Sequence, residues 1–384
     1  MKLVFQAILR FLKEADIFLL IISLVSSIYG YYLIMSSVTG NPNLSLRIMG
    51  VQSTAIIIGV ILFIIFSYID INIIADKSKL LFVFSMGLIG ILYFWGIGGG
   101  HEGGGSRAWL RFGDIGIQPA EVVKITFTIV IAKMITNYKE RKTLNDFTSL
   151  LKILTVFFIL FAMILYIAGD MGTSLVYIFI LVAMLFVGGV RLRWFAIAAA
   201  VTPVISLFFF VNLLAERYQM RILVALFPHL EPDRQGFLWQ PDLSVEAISS
   251  GGFTGQGLGN GRLTQAGIIP AQHTDFIFSV AGEELGFIGC IAIIILLVIV
   301  IVRCIYIGIE SNSPLGLLVC VGLATKFIAQ MVMNLGMALG ILPVIGVTLP
   351  FFSYGGSSIV TSFAAMGIVS GIKMRPNPIK YRAF

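Results

Sequence analysis

Charge is scarce in this chain: Asp, Glu, Lys and Arg make up 12% of its 384 residues, roughly half the share usual in soluble domains. So few polar groups cannot cover the surface of a soluble enzyme of this size, and that class is excluded. Cysteine is scarce as well. Cys290, Cys304 and Cys320 are odd in number, lie in or beside apolar stretches and match no metal-ligand spacing, so they are read as packing residues. The glycine tract Gly98–Gly105 lacks the Gly-Lys-Ser/Thr ending of a phosphate-binding loop. The Ser249–Gly261 stretch does not fit G-x-G-x-x-G, and reads as a turn-rich loop held close to something. No internal repeat is visible, which leaves an inverted-repeat transporter unsupported. What abounds is apolar: 58% of the chain is hydrophobic, with 31 Phe and 40 Gly. Such a composition excludes disorder and suits helices packed in lipid.

The formal charge is +7, which in a soluble protein would raise nucleic acid as a partner. Here the cations lie mostly in short segments between apolar runs, so they report topology and no nucleic acid is expected. A membrane span needs about 20 mostly apolar residues, because ~30 Å of hydrocarbon is crossed at 1.5 Å per residue. Ten segments qualify, at 16–36, 48–67, 79–97, 119–137, 149–168, 172–190, 194–214, 275–302, 315–340 and 354–373. The first is as long as the others and has no small-residue cleavage site behind it, so it is read as a retained span. The expected fold class is an all-α polytopic membrane protein of about ten transmembrane helices, one integral-membrane domain over 1–384. Positive charge sets its orientation. With both termini cytoplasmic, sixteen of the 26 Lys and Arg fall inside, seven outside and three within spans. Two sizeable outer segments result, 98–118 and the long 215–274 between helices seven and eight, and loops of that length usually carry function.

Polar residues that survive near these outer segments are the candidate site. Arg107 and Arg111 flank Trp109, either as an interfacial anchor with snorkelling cations or as an anion site, since arginine offers a planar fork to diphosphate oxygens. Gln118 and Pro119 open the fourth span, and Glu121 and Lys124 lie three apart, hence on one face. A charge within a span costs ~2.5–3.5 kcal/mol even on lenient scales, so this pair must face protein or water. Lys133 sits near the inner end, where its ammonium is expected to snorkel; Lys326 lies deeper, without an evident partner. Asp170 stands between spans five and six, as a helix cap or a site carboxylate. Arg221 lies just outside the seventh span. His273, Thr274 and Asp275 stand where the long loop becomes the eighth helix, with Thr274 expected as N-cap and Asp275 in the first turn. That position suits an ordinary dipole-complementing Asp, and equally a general base at headgroup depth. Ser353 and Ser357 lie in the Pro350–Ser358 segment that leads into the last span; small residues there permit close packing or expose backbone N–H groups to an anion.

Taken in order, these motifs are specific. Trp109-Leu110, Gln118-Pro119-x-Glu121-x-x-Lys124, Asp170-x-Gly172-Thr173, Gly251-Gly252-x-x-Gly255-x-Gly257-Leu258-Gly259, His273-Thr274-Asp275-Phe276-Ile277-Phe278 with Glu284 and Gly286, and Pro350-Phe351-x-Ser353-Tyr354-Gly355-Gly356-Ser357-Ser358 together resemble the SEDS family of shape, elongation, division and sporulation proteins (RodA, FtsW and SpoVE). The resemblance covers nearly the whole chain. It departs from the family pattern at Ala120, where serine is usual, at Ala108, where the arginine before the tryptophan is displaced to Arg107, and at Gln240 and Ser244, which are not adjacent.

The resemblance implies a bacterial peptidoglycan glycosyltransferase in the plasma membrane. It would polymerise lipid II on the extracytoplasmic face beside a class B penicillin-binding transpeptidase and other elongation or division proteins. It also implies Asp275 as the catalytic residue. The chemistry agrees: glycoside hydrolysis usually needs two carboxylates, whereas a sugar diphosphate has a leaving group that departs as a stabilised anion and needs cations in place of an acid. Arg107, Arg111, Lys124 or Arg221 would steady that anion. No organic cofactor is expected. A Mg²⁺ or Mn²⁺ ion could share the task through carboxylate oxygens, although no residue spacing demands one. Two other function classes fit a ten-span chain: a lipid II flippase, which predicts an inner polar cluster comparable to the outer one, and a non-catalytic scaffold for the transpeptidase.

Overall fold

The structure, a computed structural model, describes residues 11–39, 42–98, 106–113, 115–212 and 214–375. Most of the glycine tract Gly98–Gly105 and the terminal cations Lys2, Arg10, Lys380 and Arg382 lie outside the described residues. Among the described residues ten long helices overlap the ten expected spans: α1 Ile17–Ser37, α2 Pro42–Tyr68, α3 Ser78–Trp95, α4 Pro119–Glu140, α5 Phe147–Met163 with a π-turn to Ala168, α6 Met171–Gly188 and α7 Leu192–Asn212. Two shorter helices, α8 Glu216–Leu226 and α9 Trp239–Ser250, form the long loop before α10 Ile277–Glu310, α11 Pro314–Ala338 and α12 Gly356–Lys373. Eight of the long helices are long and apolar enough to cross a membrane. The chain is a polytopic membrane protein. The two that fall short, α4 and α12, are the more polar because they are interior. Nearly all of α12 is buried, and α4 buries Glu121, Lys124 and three threonines. At the other extreme α7 buries none of its residues.

Side-chain bonds at the helix ends sort into two poles. At one, Asp16 at the head of α1 accepts from Arg303 in the last turns of α10 (2.6 Å) and from Lys373 ending α12 (2.9 Å). Lys133 near the end of α4 meets Asp76 ahead of α3 at 2.8 Å; both are partly exposed, as the snorkelling reading requires. At the opposite pole Gln118 before α4 reaches Asp170 before α6, and Asn334 near the end of α11 reaches residue 275 before α10. The ends of α1, α3, α4, α6, α10, α11 and α12 therefore fall as spans of alternating direction require.

The glycine-rich stretch after α9 has a structural task. Within α10 the helix is interrupted at Gly286, whose φ of 66° and ψ of −161° are non-helical. A break in a buried helix leaves carbonyls and amides without partners. Here Gln256 and Gly257 donate to the carbonyls of Glu283 and Glu284 (3.0 and 2.9 Å), and the amides of Phe287 and Ile288 donate to Gly252 and Phe253 (2.9 and 3.2 Å). The loop can approach so closely only without side chains: a Cβ on Gly286 would lie 2.3 Å from the Gly255 nitrogen. Gly286→Ala is expected to cost more than the ~1–3 kcal/mol of ordinary overpacking, because it adds a disfavoured positive φ to the clash. Thermal unfolding in detergent reads this directly, and an unchanged midpoint would show that the contact is slack.

Candidate active site

Thr274 does not cap α10. Its hydroxyl donates to the Ala271 carbonyl (3.1 Å), and the amides of Thr274, Asp275 and Phe276 converge on that same carbonyl. The helix starts only at Ile277, after Phe276, which offers no side-chain cap. Asp275 thus belongs to a tight turn ahead of the helix. The turn is sewn on from three directions. Asn334, wholly buried, donates its amide hydrogens to the carbonyls of Asp275 and Val347, both at 2.7 Å. Ser353 donates to the Thr274 carbonyl (2.5 Å) while accepting from the Leu349 amide (2.8 Å). Tyr354 donates its amide to the His273 carbonyl (2.8 Å), and the two rings stand 5.6 Å apart. Ser353 is therefore a tie between backbones; its hydroxyl is already engaged on both sides.

The Asp275 side chain is half-buried, lies beside the bare Cα of Gly346 and makes no ion pair among the described residues. Burial pushes its carboxyl up to about 6, with the Asp170 carboxylate adding to the rise and the Thr274 hydroxyl and Arg221 guanidinium opposing it. Burial likewise draws the His273 imidazole below its ordinary value. Arg221, carried by α8 and half-buried, makes one side-chain hydrogen bond among the described residues, to the Val344 carbonyl (3.2 Å). It keeps most of its donors for something else.

Asp170 is the N-cap of α6, as its position suggested: one oxygen accepts from the Thr173 amide (2.8 Å). The other accepts from Gln118 (2.7 Å), whose own amide donates to Ser357 (3.1 Å). Burial raises the Asp170 carboxyl, and the bonds from Thr173 pull against it. Gln118, Asp170 and Ser357 thus join the heads of α4, α6 and α12 next to Asp275.

Below them Glu121 and Lys124 pair at 2.5 Å, both essentially buried. Lys326, which had no account from sequence, completes the group: its ammonium lies 3.5 Å from the other Glu121 oxygen and has no hydrogen-bond partner. Two ammonium groups share one carboxylate inside the membrane-embedded core. Lys326, Gln330 and Asn334 recur every four residues on one face of α11, so a polar stripe runs from this triad up to the Asp275 turn. That repeat was visible in the sequence and pointed to Asn334, which was missed.

The remaining candidates sit apart. Arg107 and Arg111 are exposed, on either side of the short hairpin start; strand β1 Leu110–Phe112 pairs antiparallel with β2 Ile115–Ile117. Neither arginine side chain makes a hydrogen bond or ion pair among the described residues. Trp109 is half-buried and bridges backbone to Ile97. Glu283 and Glu284 are fully buried and hold the Gly261–Gln265 segment: Glu283 accepts from the amides of Leu263 and Thr264 (2.7 and 2.8 Å), and Glu284 from Ser36 (2.6 Å) and Gln265 (2.8 Å). Their oxygens are committed to structure. The three cysteines are buried and free.

Comparison with known proteins bears on this arrangement. The family described as cell cycle protein, FtsW/RodA/SpoVE, matches residues 14–377. The chain is 31% identical over 336 residues to the probable peptidoglycan glycosyltransferase FtsW of Borreliella burgdorferi, covering 87% of this chain and 88% of that one. It is 34% identical over 298 residues to stage V sporulation protein E of Bacillus subtilis, covering 77% and 78%. A solved chain from a peptidoglycan synthase complex, in which polymerization and crosslinking are structurally coordinated, superposes with a TM-score of 0.79 at 26% identity, covering 94% of this chain and 98% of that one. With six ordered motifs, the ten-helix arrangement and matches along nearly its whole length, the chain belongs to the SEDS family, the FtsW/RodA/SpoVE cell-cycle proteins.

Proposed function

We propose that the chain is a peptidoglycan glycosyltransferase that polymerises lipid II by inverting transfer from a polyprenyl-diphosphate donor. One observation carries the mechanism: a half-buried carboxylate, Asp275, with no ion pair among the described residues and an elevated pKa, in a turn held through its backbone. Such a group is free to take a proton. In the reaction it removes the proton from the acceptor hydroxyl, whose oxygen forms the new bond to the anomeric carbon. The carbon–oxygen bond to phosphate breaks, and the electron pair leaves with the diphosphate. Arg221, facing Asp275 with spare donors, steadies that charge; Arg107 and Arg111 at the membrane edge receive the headgroup. Trp109 lies between them in the chain, and Gln118, Asp170, Ser357 and His273 shape the floor. Lys124 is held by Glu121 and acts through the field of the triad.

A Mg²⁺ or Mn²⁺ ion would draw on Asp275 and on the substrate's own diphosphate oxygens. Both Asp170 oxygens are engaged, and among the described residues no three His, Cys, Asp or Glu side chains gather. The described residues offer no complete cage of their own. The partner in this reading is a class B penicillin-binding transpeptidase in the same membrane, within the elongation, division or sporulation machinery. The flippase reading is weaker because, among the described residues, no ion pair links the buried triad to the Asp16, Arg303 and Lys373 group at the other pole, and the scaffold reading gives Asp275 no task.

The decisive experiment is purified protein in detergent with labelled lipid II and no partner, scored for glycan chains on a gel. Activity is expected to fall as pH drops through about 6, since the base must be ionised and its carboxyl stands above the ordinary aspartate value. Asp170→Asn removes a neighbouring negative charge while keeping a good cap, so the acid limb should move to lower pH. A limb that stays put would detach Asp170 from Asp275. The orientation, with the site on the extracytoplasmic face of the bacterial plasma membrane, predicts that a cysteine introduced within 230–240 reacts with impermeant reagent from outside and one near residue 140 does not. The reverse pattern would invert every assignment.

A further inference from the structure

Two substrates meet in the proposed reaction, and the Glu121, Lys124 and Lys326 triad sits on the membrane side of Asp275. On its other side lies a cavity of about 280 Å³ between α8, α9 and the turn after α11, lined by Arg221, Ala225, Phe237, Gln240, Pro343 and Val344 among others. It is next to the reactive carboxylate. Arg221 lines it and is felt electrostatically by Asp275, and Gly346, two residues beyond Val344, packs beside the Asp275 oxygen. The walls are preformed. Glu231 accepts from the amides of Gly236, Phe237 and Leu238 (2.5, 2.9 and 3.4 Å), which fixes the Phe237 backbone. Arg234 clamps Asp242 through two bonds of 2.6 and 2.5 Å.

The lining mixes an aromatic face and prolines with side-chain amide, carboxylate and guanidinium groups. A sugar ring has the same mixture, apolar C–H faces and a rim of hydroxyl or N-acyl groups. The volume lies near the lower end for ligand pockets, room for about one ring with its substituent. Asp242 is paired with Arg234 and adds no free charge to the lining, and the polar rim disfavours a lipid chain. We infer that this cavity binds a saccharide unit of the glycan on the acceptor side and so presents a sugar hydroxyl to Asp275. The inference rests on the reading of Asp275 as base in a glycan polymerase.

The test uses the full chain in detergent and a soluble tetrasaccharide of the lipid-free glycan, with binding measured by calorimetry and polymerisation of lipid II assayed alongside. Phe237→Ala removes the stacking face, Ala225→Phe fills the cavity, and Gln240→Leu removes a polar partner with little change of shape. Each is expected to weaken tetrasaccharide binding by about tenfold and raise KM for lipid II in similar proportion, with kcat and the acid limb near those of the parent. Asp275→Asn should bind the tetrasaccharide like the parent. Parent-like binding by the variants that keep the parent's thermal midpoint, or no binding by the parent itself, overturns the assignment. Should the parent make no polymer yet bind the tetrasaccharide in a cavity-dependent way, the polymerase reading fails and the subsite stands.

Discussion

Asp275→Asn should lower glycan synthesis by ~10²–10⁴-fold, the range a positioned general base supplies, while the protein folds and binds lipid II. The substitution keeps size and hydrogen-bonding capacity and removes basicity. The Asn334 amide bonds to the residue 275 carbonyl, a backbone group that the substitution leaves intact, so the turn has no reason to move. Thermal stability should hold or rise, because an ionised carboxylate in a half-buried turn is a cost that function imposes. Asp275→Glu should recover part of the activity only if the longer side chain still reaches the acceptor hydroxyl. Near-normal synthesis by folded Asp275→Asn protein would remove Asp275 as base. Glu283 could not replace it, since it is wholly buried with both oxygens bonded within the fold, and the search would return to Asp170, which is bonded as well but only half-buried.

The second large effect is expected at the buried triad. Glu121→Gln leaves the Lys124 and Lys326 ammonium groups in the core without their shared carboxylate; removing one partner of a buried pair typically costs ~3–5 kcal/mol. Lys124→Met is milder, because Lys326 remains to face Glu121. Lys326→Met is milder still: its ammonium has no hydrogen bond, and Glu121 keeps the 2.5 Å contact to Lys124. Replacing all three by neutral residues of similar size should regain most of the loss, since no charge is then stranded. Thermal unfolding of the four variants in detergent orders them. If Glu121→Gln is no worse than Lys326→Met, the carboxylate is not what holds the lysines there, and water must reach the group.

The ten helices were legible in the sequence because spanning is a local property: hydrophobic length against bilayer thickness, with positive charge between. The same reasoning misplaced one end. Thr274 reads as an ideal cap on composition, yet its hydroxyl turns back to Ala271, because the Asp275 turn is shaped by Asn334 and Ser353 from elsewhere in the chain. The hydropathy of α4 and α12 is similarly instructive. Their lower apolar content marks interior position, since a helix surrounded by other helices need not match lipid.

By itself the sequence determined the membrane class, the alternation of the helices, the shared helix face of Glu121 and Lys124 and, through ordered motifs, the family. Each is set within a few residues or by composition, where periodicity and propensity act directly. Only the tertiary structure decided that Lys326 joins Glu121, that Asn334 holds the Asp275 backbone, that the glycine loop satisfies the broken helix at Gly286, and that a cavity lies beyond Arg221. Those partners are far apart in the chain. Which buried polar group meets which is settled by how helices pack, because an unpaired group in a low-dielectric core must find whatever donor or acceptor the neighbouring helix brings to it.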